Sequence, residues 1–145
     1  MTASPLDKPY DYAVSRLAAA GGDVEALPLP LQTLLLVEMA QTMIDSGGLE
    51  YFFEADFPNN PAYEVFVQAY RRIGAGSAAD CIEASAQMFP FAEPQFFEEL
   101  RQVWLEKMRV DPQFASLGER VTGDASVWQK LSEYVLRNSE AFGDG

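Results

Sequence analysis

The hydrophobic positions of this chain recur with a helical period from one end to the other. No long segment alternates apolar and polar residues as a half-buried β-strand would. The clearest helical segment covers residues 31–45, where one broad side is apolar and comprises Leu36, Val37, Met39, Ala40, Met43 and Ile44. The pattern predicts an all-α, single-domain compact bundle of about seven or eight short-to-medium helices over residues 1–145.

Glycine and proline residues predict where the helices begin and end. Gly47 and Gly48 should break the 31–45 helix and allow a second helix, with Phe52 and Phe53 buried, to begin almost at once. Other helices are predicted at 7–20, 62–73, 78–89, 94–109, 112–121 and 125–142. In the 94–109 helix the residues predicted to be buried are Phe97, Leu100, Val103, Trp104 and Met108.

Acidic residues dominate the first half of the chain. The net charge is −12, and residues 1–70 carry ten acids and two bases, whereas residues 71–145 carry twelve acids and eight bases. Between Arg16 and Arg71 there are 54 residues with eight acids and no Lys or Arg. Such a field repels nucleic acid and membrane surfaces and attracts cationic partners.

Several chemistries are excluded by composition. The chain has no His, and its single Cys is Cys81. A Ser/His/Asp triad and a Cys/His couple are therefore impossible, and the usual zinc ligand sets are missing. We expect no catalytic residues, no cofactor and no metal. The first residues lack the pattern of a signal peptide and no apolar run is long enough to span a membrane, so we expect a cytoplasmic protein.

One segment resembles a known family. The run from Asp45 to Phe53 contains Ser46-Gly47-Gly48-Leu49 and an aromatic pair, and Ile73-Gly74-Ala75 and an Ala-rich helix at 78–89 follow it. Over residues 34–90 this resembles the DNA-mimic-protein-like family of bacterial helical domains. Ser46 stands where that family usually has Asn, and Leu49 where it usually has Phe. The resemblance implies a helical fold, and at least one member of that family resembles duplex DNA by using surface carboxylates in place of phosphates, a role that depends on acids outside the motif.

Mimicry of DNA requires carboxylates at phosphate-like spacing on a rigid surface. Helical geometry separates Glu38 from Asp45 by roughly 10 Å and Glu50 from Glu54 by about 6 Å. These spacings bracket the distance between neighbouring phosphates on one strand. The candidate partner-binding residues are Glu38, Asp45, Glu50, Glu54, Asp56 and Glu64. The expected partner is a basic or DNA-binding protein, with no direct contact to nucleic acid or membrane, and a homodimer is an open alternative.

Two further classes of function remain open. The acidity would serve solubility in a generic protein-interaction module, whose candidate anchors are Tyr10, Tyr12, Tyr51 and Tyr63. A carboxylate-based enzyme would use a pair such as Glu98 with Glu99 or Glu50 with Glu54, and an acidic cluster would hold a divalent cation. Amphipathic helices commonly place such acids on the solvated face, which disfavours the enzyme.

Overall fold

A computed structural model describes residues 4–143 of the chain, which form seven α-helices and three single-turn 3₁₀ segments without any β-strand in that range. The helices are α1 (Asp7–Ala19), α2 (Leu29–Glu54), α3 (Tyr63–Arg72), α4 (Gly76–Ala86), α5 (Glu98–Arg109), α6 (Pro112–Val121) and α7 (Ala125–Arg137). The 3₁₀ segments are Val24–Ala26, Pro94–Phe96 and Ser139–Phe142. The all-α prediction is confirmed.

Helix α2 is the centre of the fold. It contacts α1, α3, α5, α6 and α7, and 12 of its 26 residues are buried, more than in any other helix of residues 4–143. Gln41, a polar residue outside the predicted apolar side, is also fully buried. Its side chain accepts a hydrogen bond from the Tyr70 hydroxyl at 2.9 Å and donates one to the Val121 carbonyl at 2.9 Å. These bonds satisfy a polar group that would otherwise be costly to bury.

The predicted break in α2 lies at Gly48, whose φ of 76° and ψ of −176° are open almost only to glycine. The chain bends there, and the following turn places Phe52 and Phe53 inside the core. Phe52 makes an edge-on contact with Phe66, with ring centroids 5.2 Å apart, and Phe53 does the same with Tyr63 at 4.9 Å. The bend therefore joins α2 to α3 through an aromatic cluster.

Helix α5 differs from the prediction in its start and its orientation. It begins at Glu98, after the 3₁₀ segment, rather than at Pro94. Its buried residues are Arg101, Leu105 and Met108, whereas Leu100 and Val103 are 45% and 51% exposed. Phe97, also predicted to be buried, is exposed as well. The prediction is confirmed for Met108 and in part for the half-buried Trp104, but it was wrong for Phe97, Leu100 and Val103 because it assigned the inner face by hydrophobicity alone and did not place the charged Arg101 there.

Replacing Gly48 with Ala should destabilise the protein by about 1–3 kcal/mol, because no side chain contact blocks the site but an alanine cannot adopt this backbone conformation without strain. The measurement is urea denaturation monitored by circular dichroism. Gly76→Ala is the matched control, since Gly76 opens α4 with an ordinary backbone and open space around its Cα. Equal losses from both substitutions would contradict the proposed cause.

Candidate acidic binding surface

The acidic side chains of residues 4–143 all lie at the surface, either exposed or half-buried. Only four of them form ion pairs within this range: Glu50 with Arg109, Asp56 with Arg101, and Asp80 and Glu83 with Arg71. Most of the negative charge therefore faces solvent without a cationic neighbour in contact. Such a surface attracts basic partners over a distance set by ionic strength.

The end of α2, the connection that follows it and the first turn of α3 contribute one acid each to three surface depressions. Glu54 lines the α2–α5 depression, of about 370 Å³, together with Gln102, Leu105, Glu106 and Arg109. Asp56 lines the α1–α2 pocket, of about 460 Å³, whose other lining residues include Tyr10, Glu38, Met39, Met43 and Phe57. Glu64 lines the α3–α4 depression, of about 280 Å³, with Glu83 and Glu93. Residues 54–64 thus place one acid in each of three surface depressions.

Glu38 lies on α2 beneath α1. The side chain is half-buried, and its Oε2 atom is shielded from solvent without a hydrogen-bond partner among the described residues. Burial raises the pKa of this carboxyl, and the charge of Asp7 on α1 raises it further. The pKa of the nearby Tyr10 hydroxyl is also raised, first by burial and then by the charge of Glu38. Glu38 is therefore a half-buried carboxyl group with one oxygen shielded from solvent and no ion pair among residues 4–143.

Asp45 is occupied by internal hydrogen bonds. Its Oδ1 accepts from the Gln41 side chain and from the Gly123 amide, each at 2.8 Å, and its Oδ2 accepts from the Trp128 indole at 2.9 Å. The side chain thereby ties α2 to the turn between α6 and α7. Its charge reaches the surface, but both oxygens already have donors.

Glu50 and Glu54 lie one turn apart and differ in environment. The Arg109 guanidinium binds Glu50, with Nε 3.0 Å from both carboxylate oxygens, and these hydrogen bonds lower the pKa of Glu50. The pKa of Glu54 is raised, first by partial desolvation and then by the neighbouring Glu50. Glu54 stays exposed and shares its depression with Glu106. The sequence-predicted pair is therefore split into one bound and one free carboxylate.

Asp56 is fixed by a buried arginine. Arg101 is 1% exposed, and its Nη2 donates to Asp56 Oδ1 at 2.7 Å, while the Asp56 side chain remains 49% exposed. The same guanidinium donates to the carbonyls of Phe53 at 2.8 Å, Pro94 at 2.9 Å and Gln95 at 3.0 Å. Asp56 therefore presents its outer oxygen to the α1–α2 pocket from a rigid position.

Glu64 is exposed on the first turn of α3, where it accepts a hydrogen bond from the Gln68 side chain at 2.6 Å. Across the α3–α4 depression it shares the lining with Glu83 and Glu93. The pKa of Tyr63, in the same lining, is raised to about 12 by burial, so this hydroxyl stays protonated. The depression is therefore lined by carboxylates and by a tyrosine whose hydroxyl stays protonated.

Sequence reasoning missed Glu93 and Glu106 as members of this surface. Both lie in the half of the chain with more bases, and neither belongs to the segment without Lys or Arg. Their proximity to Glu64 and Glu54 arises from packing between helices. No spacing in the sequence reports such a contact.

Other kinds of site find little support in the part of the chain described, residues 4–143. No three His, Cys, Asp or Glu side chains cluster there as metal ligands would. Cys81 is buried and its pKa is raised by that burial, which keeps the thiol protonated and unreactive. Over the same residues no helix combines the length and apolar character needed to cross a bilayer.

Arg101→Met should lower the free energy of unfolding by about 3–5 kcal/mol, because three backbone carbonyls lose their donor and each buried acceptor left unsatisfied costs about 1–3 kcal/mol. Asp56→Asn should cost only about 1–2 kcal/mol, since the half-exposed amide still accepts a bond and the carbonyl bonds persist. Urea denaturation of both variants measures the difference. If the two losses are equal, the ion pair rather than the set of carbonyls holds this junction together.

Comparison with known proteins gives one match. Residues 25–138 match the family described as DMP19-like protein, which covers most of the chain and all seven α-helices except α1. Searches of curated proteins and of solved structures each returned no match. The family resemblance predicted from the Gly-Gly-aromatic segment is confirmed at the level of the family. The chain belongs to the DMP19-like family, a family of DNA-mimic proteins.

Proposed function

We propose that this protein is a non-enzymatic DNA mimic that binds a basic, DNA-binding protein through the acidic surface around residues 54–64. The observation that carries the proposal is the placement of Glu54, Asp56 and Glu64 in three depressions around one connection. Glu38 joins Asp56 in the α1–α2 pocket. Family membership supports the same function.

The physical basis is the way in which proteins contact the DNA backbone. Phosphate contacts provide most of the sequence-independent affinity, and arginine and lysine side chains make many of them. Carboxylates on a packed helical scaffold offer those side chains an alternative set of anions that needs no reorganisation. Because Asp45, Glu50 and Asp56 already have internal partners, we assign them a contribution to the field rather than a free carboxylate.

A glycosidase-like use of Glu50 and Glu54 is less well supported, although their pKa values shift in opposite directions. Arg109 binds the carboxylate that would have to act as nucleophile or base. Glu54, which would be the acid, is exposed to water rather than enclosed with a substrate. Arg109 accounts for the lowered pKa of Glu50, and partial desolvation with the neighbouring Glu50 accounts for the raised pKa of Glu54, without a catalytic role.

The direct test identifies the proteins captured by the immobilised chain and then measures the affinity of a purified captured DNA-binding protein. We expect binding to weaken steeply between low and moderate salt and to be competed by duplex DNA, because both anions would use the same cationic site. The variant Glu38→Gln/Glu54→Gln/Glu64→Gln should bind at least tenfold more weakly. Salt-insensitive binding, or binding that DNA leaves unaffected, excludes mimicry.

The control variant is Glu25→Gln/Glu119→Gln/Glu133→Gln. It removes the same three charges from exposed acids that form no ion pair within residues 4–143. We expect less than a threefold loss of affinity from this variant, since only the long-range field changes. Equal losses from both variants would show that net charge, not the proposed surface, determines binding.

A second candidate function is self-association through α5, supported by the apolar stripe on its outer side. Leu100 and Val103 are about half exposed and Val110 is 80% exposed. Phe96 and Phe97 extend the stripe at the N-terminal end. Contiguous exposed apolar side chains of this size commonly mark an interface.

The charges beside this stripe favour a second copy of the chain as the occupant. If two α5 helices pair antiparallel about Val103, residues equally distant from Val103 face each other. Glu99 then lies opposite Lys107 of the other copy, and Phe96 lies opposite its Val110. A twofold arrangement repeats each favourable contact, as an isologous interface requires.

Substituting Lys107→Glu should raise the dimer dissociation constant at least tenfold, because it places two acids opposite each other twice in the interface. Combining it with Glu99→Lys should restore dimerisation, since the pair is then reversed. Sedimentation velocity measures the association. A monomeric parent protein, or a double variant as weak as the single one, would contradict the antiparallel arrangement.

A further inference from the structure

The α1–α2 pocket combines apolar walls with two acids. Met39, Met43 and Phe57 supply the walls, and Glu38 and Asp56 supply the charge. The volume of about 460 Å³ leaves room for a long side chain and some water. Pro58 forms part of the lining and packs against Gly22, in the turn after α1, where an added Cβ would lie 3.3 Å from the Pro58 Cβ. The pocket therefore lies between α2, Tyr10 of α1 and the packed connection after α2.

The unsatisfied group in this pocket is Glu38. Its Oε2 has less than 1 Å² of accessible surface and accepts no hydrogen bond from any described residue. A carboxylate oxygen in that position loses solvation without compensation, which costs free energy. The residue as a whole is half-buried, lines the pocket and forms no ion pair among residues 4–143. Because the charge of Asp56 has the same sign, the pocket is complementary to a cationic group.

The walls restrict which cation fits. A metal ion needs several oxygen ligands, whereas thioethers and an aromatic ring surround this site. A guanidinium is weakly hydrated, stacks on aromatic faces and carries several donors at the end of an apolar stem. A lysine ammonium is more strongly hydrated and gains less from the same walls. DNA-binding proteins also present arginines to phosphates, so a partner of the proposed kind would carry the required group.

We propose that the α1–α2 pocket binds an arginine side chain of the partner protein, with the guanidinium donating to Glu38 and the methylene stem packed against Met39, Met43 and Phe57. This assignment rests on the proposed function and specifies the chemical group that the acidic surface recognises. The other acids of the surface supply further anionic contacts, whereas Glu38 receives this one side chain.

The test titrates the whole protein with N-acetyl-arginine N-methylamide and follows the methionine methyl groups by NMR after labelling with ¹³C-methyl methionine. The Met39 and Met43 methyls should shift saturably. Met88 and Met108 lie outside the pocket and should not respond. The corresponding citrulline compound, a neutral isostere, should produce no saturable shift, and the lysine compound should bind several-fold more weakly. Citrulline or lysine binding as tight as arginine binding would overturn the assignment.

Two variants test separately how much the Glu38 carboxylate and the space of the pocket contribute to arginine binding. Glu38→Gln should weaken arginine binding about tenfold, the amount expected for the loss of one charge-assisted hydrogen bond. Its folding should not suffer, because the substitution removes an unsatisfied charge. Thr42→Trp fills the mouth of the pocket from an exposed helix position and should abolish binding while leaving Glu38 in place. Glu25→Gln, the control with the same change in charge, should bind arginine as the parent does.

The outcomes distinguish this inference from the proposed function. If Met39 and Met43 do not respond, but a DNA-binding protein still binds with competition by DNA, the pocket assignment fails and mimicry stands. If arginine binds as described but no DNA-competed partner is captured, the pocket stands and mimicry fails. Equal weakening by Glu38→Gln and Glu25→Gln would show that arginine responds only to the overall charge.

Discussion

The buried guanidinium of Arg101 is the constraint on which the acidic surface depends. A charge with 1% exposure must have its donors satisfied, and Arg101 meets this need with the carbonyls of Phe53, Pro94 and Gln95 and the carboxylate of Asp56. These acceptors come from the end of α2, the 3₁₀ segment before α5 and the α2–α3 connection. One side chain therefore fixes three segments relative to one another, and with them the position of Asp56.

The same interaction decides the face that α5 presents to solvent. With Arg101 pointing inward, Leu105 and Met108 follow it into the core, and Leu100 and Val103 must point outward. The inward orientation of Arg101 therefore both exposes the apolar stripe of α5 and fixes Asp56 in the acidic surface. Charge acts at long range and carries little shape information, whereas an apolar contact acts only after close approach. The two surfaces suit different steps of recognition.

Most of the helices could be predicted because their determinants are local. Gly48 adopts a conformation that is open almost only to glycine, and Phe52 and Phe53 after it are buried as expected. The candidate acids were harder to assign. Glu38 and Asp45 share a stripe of α2, but α1 shields the first and the α6–α7 turn donates hydrogen bonds to the second. Glu106 became a neighbour of Glu54 only through the packing of α5 on α2.

By itself, the sequence determined the helical class, the break in α2, the excess of negative charge and the family, because periodicity, backbone freedom and composition are properties of neighbouring residues. The tertiary structure decided which carboxylates are free, which apolar stripe faces water and where an unsatisfied acid meets an apolar pocket. Those outcomes depend on contacts between residues far apart in the chain, such as Arg101 with Phe53 and Asp45 with Trp128. A hydrophobic stripe has the same pattern whether it faces the core or the solvent, and only packing distinguishes the two.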